Sequence, residues 1–144
     1  MRRASGGRWL AAGWVVLALS SVALAQNWPQ WRGPELNGAQ QAVNLPVDLT
    51  ADPQKNLLWK TALPGPGAGT PVIWEDRVFV SALEPNTRKL HGLCLDRATG
   101  KILWQHEIGL GYTANRRNDM AAPSPVTDGK TVVYYFGSGE IAAF

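Results

Sequence analysis

Leu95-Asp96-Arg97-Ala98-Thr99-Gly100-Lys101-Ile102-Leu103-Trp104 is the stretch whose reading decides the fold. Asp96 can cap a turn through its side chain. Gly100 can adopt a left-handed backbone that other residues avoid. The apolar runs on either side, Leu90–Leu95 and Lys101–His106, then read as strands joined by the turn Asp96–Gly100. Trp104 stands on the outgoing strand, where its large ring can fill the space against a neighbouring sheet.

The same signals recur outward along the chain. Leu57-Leu58-Trp59-Lys60 matches Ile102-Leu103-Trp104-Gln105, with Trp59 and Trp104 in the same place in each. Thr70–Val80 matches Ser124–Tyr134, and there Pro71 corresponds to Pro125. The interval from Pro71 to Pro125 is longer than that from Trp59 to Trp104. The extra residues fall between Trp104 and Pro125, so the second unit has a longer loop there, Glu107–Pro123. Short β-rich runs alternate with turns throughout: Leu57–Ala62, Thr70–Trp74, Arg77–Leu83, Ser124–Thr127, Thr131–Phe136 and Glu140–Phe144. Four strands in roughly 40–50 residues is the period of a propeller blade. One blade cannot cover both of its apolar faces, so it must stack on others. The fold class expected is all-β, a β-propeller of four-stranded antiparallel blades, about two of them present and the ring incomplete.

The decisive stretch resembles the pyrroloquinoline-quinone-type (PQQ-like) propeller repeat. That family's mark is a small residue, x, Asp, two residues, Thr-Gly, three residues, Trp. Cys94 stands in the first position, where Ala is usual. The opening Asn27–Gly38 is also similar to the N-terminal segment of exported members. The resemblance covers about Trp28 to Phe144. It implies that Leu57–Ala62 is the Trp-bearing fourth strand of a blade and closes the ring. Its three partner strands are then expected from sequence beyond Phe144. Residues 70–106 form a complete blade, and 123–144 a partial one. A ring needs about 4–8 blades, so the chain is expected to be partial.

Residues 1–25 carry the marks of a secretory signal peptide. Arg2, Arg3 and Arg8 precede an apolar stretch from Trp9 to Leu19, and Ala23-Leu24-Ala25 offers a cleavage site. The stretch is short for a spanning helix, which needs roughly 20 residues. No stable membrane span is expected after cleavage, and an exported location, periplasmic or extracellular, is. The formal net charge of the chain is +3. The three Arg of residues 1–25 account for all of it, so the mature chain gives no electrostatic argument for nucleic acid. Residues 26–56 read as irregular, since Pro29, Gly33 and Pro34 break regular structure.

Candidate functional residues are few. Cys94 is the single cysteine, which excludes an internal disulfide framework, and its apolar neighbours suggest a buried thiol. His91 and His106 lie on separate strands with no Cys or acidic cluster at metal-ligand spacing, so both read as structural. Gly65-Pro66-Gly67-Ala68-Gly69 reads as a turn, ill-suited to phosphate. Arg116 and Arg117, in the loop Glu107–Pro123, could take a carboxylate or phosphate, although a solvated surface is the simpler reading. No catalytic, cofactor-binding or metal residue is assigned.

The resemblance implies two functional classes. One is a binding or scaffolding module like the propeller lipoprotein of the outer-membrane β-barrel assembly machinery, with envelope or extracellular proteins as partners. The other is part of a quinoprotein dehydrogenase, which holds PQQ and calcium in the central channel. Such enzymes commonly carry an adjacent Cys pair and a catalytic Asp, and this chain has one Cys.

Overall fold

A computed structural model describes residues 27–40, 56–112 and 119–144. The expected signal peptide and the pair Arg116 and Arg117 lie outside the described residues. Among the described residues seven strands run in chain order: β1 Val72–Trp74, β2 Arg77–Leu83, β3 Lys89–Asp96, β4 Ile102–Leu110, β5 Val126–Thr127, β6 Val132–Tyr135 and β7 Ile141–Ala143. They form two antiparallel sheets, ordered β1-β2-β3-β4 and β5-β6-β7. The all-β blade expectation holds: residues 72–110 make one four-stranded blade and residues 126–143 three strands of the next.

Each sheet is built from local rules. The pair Trp74↔Arg77 closes the β1–β2 hairpin, with Glu75 at φ 51. Strict alternation then sends Phe79 and Leu83 to one face and Val78 and Ala82 to the other. On β3, Leu90 and Cys94 share the first face, and Leu93 and Leu95 the second. The first face packs against the second sheet. Val72, Phe79, Leu90, Cys94, Val132, Tyr134 and Phe136 form its core, with Met120 and Ala121 from the intervening loop. The second face gathers Val78, Ala82, Leu93 and Leu95 beneath Trp59, Ile73, Val80 and Ile102. Leu90 and Leu93 are fully buried, each worth roughly 1.5–3 kcal/mol relative to exposure.

One expectation needs correction. The fourth strand does not stop at His106 but continues to Leu110, because Lys89 and Leu90 pair with Leu110 and Gly109 past a register shift at Leu90/His91. The loop predicted from Glu107 therefore begins only after Leu110. The run Leu57–Ala62 forms no ladder among the described residues. It is attached by side chains instead: the Trp59 indole N–H donates to the Arg97 carbonyl at 2.8 Å, and the Thr61 hydroxyl to the Gly100 carbonyl at 2.6 Å. The three strands it was expected to complete were placed beyond Phe144 and lie outside the described residues.

Candidate functional site

The decisive turn is consumed by structure. Asp96 Oδ1 accepts from the Thr99 amide at 2.8 Å and the Thr99 hydroxyl at 2.6 Å. These bonds, the Thr99 hydroxyl first, hold the Asp96 carboxyl below its ordinary value. Gly100 sits at φ 72, and a Cβ there would stand 2.4 Å from the Trp59 ring. The next blade repeats the device. Asp128 Oδ1 accepts from the Thr131 amide at 2.8 Å and the Lys130 amide at 2.9 Å. Gly129, at φ 89, would place a Cβ 2.3 Å from Trp74. A Trp thus covers a left-handed glycine turn in each blade. Both rings come from far earlier in the chain: Trp59 precedes β1, and Trp74 ends it.

Trp104 faces the second blade, as its position on the outgoing strand predicts. Its ring lies 6.1 Å from Phe79, 6.2 Å edge-on from Tyr134 and 5.6 Å from Phe144. Tyr134, fully buried, donates its hydroxyl to the Leu93 carbonyl across the junction at 2.7 Å. Burial pushes that phenol well above the usual tyrosine range. Burial likewise pushes the Cys94 thiol up to about 11, which leaves it protonated and a poor nucleophile.

Beside Trp104 the blades leave a cleft of about 290 Å³. Trp104, His106 and Phe144 supply its aromatic wall, and the hairpin tips bring Asp76, Arg77 and Lys130 to its rim. His106 stacks on Phe144 at 4.4 Å and 7°. Such a cleft can hold a flat apolar group with a charged margin. Among the described residues that line it, no hydroxyl or thiol is hydrogen-bonded to a side-chain base.

His91 is buried but tied. Its Nε2 lies 3.4 Å from Glu84 Oε2 and its Nδ1 3.3 Å from Gln105 Nε2. The Thr87 hydroxyl donates to the same Glu84 oxygen at 2.6 Å. This bond first, and His91 second, draw the Glu84 carboxyl below its ordinary value. The two histidines do not converge. Among the described residues no three metal-ligating side chains come together. Cys94 is free and buried, and among the described residues no cluster of metal-ligating side chains accompanies it. Sequence reasoning missed the cleft and the His106–Phe144 stack. Both depend on which residues of the two sheets face each other, which periodicity within one strand does not give.

The comparisons with known proteins agree with this geometry. The family described as outer membrane protein assembly factor BamB matches residues 47–144. No curated protein and no solved structure gives a significant match. The match spans most of the chain and coincides with the Trp-bearing blades, so this protein belongs to that family of PQQ-like β-propeller repeat proteins.

Proposed function

We propose that this chain is an exported propeller module that binds other proteins of the cell envelope and carries no catalysis of its own. One observation carries the reading. The residues that name the family, Asp96, Thr99, Gly100 and the Trp side chains, are spent on turns and on packing between blades. The family description, an outer-membrane assembly factor, supports a role in holding protein partners. The leader-like residues 1–25 support export to that compartment. Rigid blades presenting loops are a common way to build a recognition surface. The module has no helix among its described residues long and apolar enough to cross a membrane.

The competing reading is a PQQ-dependent dehydrogenase. Titration of the purified protein with PQQ and calcium separates the two. The binding reading expects no saturable uptake and no dye-linked alcohol oxidation. Uptake of one quinone per chain with turnover of an alcohol would overturn it.

A further inference from the structure

β1 and β5 are the first strands of their sheets, and they are the strands that approach each other between the blades. Propeller blades are arranged around a common axis, and the outer edges of β1 and β5 are where these two blades come near each other. A free strand edge presents unpaired amides and carbonyls. Here the N-terminal segment meets them. Trp28 and Ile73 exchange two backbone hydrogen bonds, at 2.8 and 2.9 Å. The Thr127 amide donates to the Pro29 carbonyl at 2.9 Å. Ile73 follows Pro71 just as Thr127 follows Pro125, with a single Val between, so the two hold equivalent positions in the two repeats. Two successive carbonyls thus accept from equivalent amides of neighbouring blades.

The segment is fixed at both ends of this contact. Asn27 Oδ1 accepts from the Glu75 amide at 2.7 Å. The Gly33 amide donates to the Gln30 carbonyl at 2.9 Å, and the Gln30 side-chain amide returns a bond to the Gly33 carbonyl. Trp28 lies against Gly33, which has φ 73 and whose Cβ would stand 2.7 Å from the ring. The turn therefore folds back onto Trp28 and holds it in place.

We infer that Asn27–Pro29 is a clasp laid across the β1 and β5 edges of two neighbouring blades. It couples their orientation and occupies the backbone donors that a ligand or an inserted peptide would use. The inference does not depend on whether the module binds proteins or a quinone.

Hydrogen exchange on the whole chain tests it, followed through peptides spanning residues 70–75 and 124–129. In the intact protein both Ile73 and Thr127 are expected to exchange at least tenfold more slowly than unstructured chain. Trp28→Ala should release both together, while residues 89–96 stay protected. If Trp28→Ala also exposes 89–96, Gly33→Ala gives the decision, since it alters neither sheet and should release the same two amides. Unstructured-chain rates at Ile73 or Thr127 in the intact protein would overturn the clasp. So would release of only one of them, or of neither, in whichever variant keeps 89–96 protected.

Discussion

At the scale of single residues, a left-handed glycine turn and a Trp ring hold each other in place in both blades. Gly100→Ala puts a methyl into the Trp59 ring and an L-residue at φ 72. Strained backbone of this kind costs about 1–3 kcal/mol, and the overlap adds to it, so unfolding by urea should show a loss of about 2 kcal/mol or more. Cys94 makes a second prediction. In the folded protein it should resist a disulfide reagent at pH 8 and react at the free-thiol rate in denaturant. Its folded value of about 11 lies above its ordinary 9.0. The stability linked to the neutral thiol is therefore complete below pH 9 and is lost as pH rises toward 11. Cys94→Ala should flatten that part of the alkaline decline. The turn residues and the buried thiol were legible in the sequence, because Asp96, Gly100 and the apolar neighbours of Cys94 act locally. The partner of Gly100 was not, since Trp59 reaches it from ahead of the whole blade.

At the scale of elements, the turns that begin with Asp96 and Asp128 join their strands through charge-assisted bonds to backbone amides. Both carboxyls are held below their ordinary 3.8, Asp96 chiefly by the Thr99 hydroxyl and Asp128 chiefly by the Thr131 amide. A depressed carboxyl contributes stability that is present above pH 3.8 and lost as pH falls through the folded value. Replacing both with Asn should make stability less steep in pH below 4, measured by thermal unfolding across an acid series. Strand identity and order were legible from alternation and turn residues. The end of β4 was not. Glu107 reads as the start of a loop, yet it pairs with His91 and bonds Lys89 at 2.7 Å on the sheet's edge. An edge strand tolerates charge on its open side, which blurs the sequence signal for where it stops.

At the scale of the whole molecule, blades gain stability by stacking. Leu58 and Ile141 remain exposed at 91% and 69%, on the Trp-bearing run Leu57–Ala62 and on β7. Repeat spacing made the blades legible. It did not show which face meets which, nor that the N-terminal segment lies on the β1 and β5 edges, because both are long-range pairings. The Trp-bearing strand of one blade packs on the core of the next. A double-mutant cycle between Trp104→Leu and Tyr134→Leu, read by urea unfolding, tests it most directly. The edge-on ring contact predicts a coupling of about 0.5–1.5 kcal/mol between the two sites. Additivity to within about 0.3 kcal/mol would contradict the packing of the two blades described here.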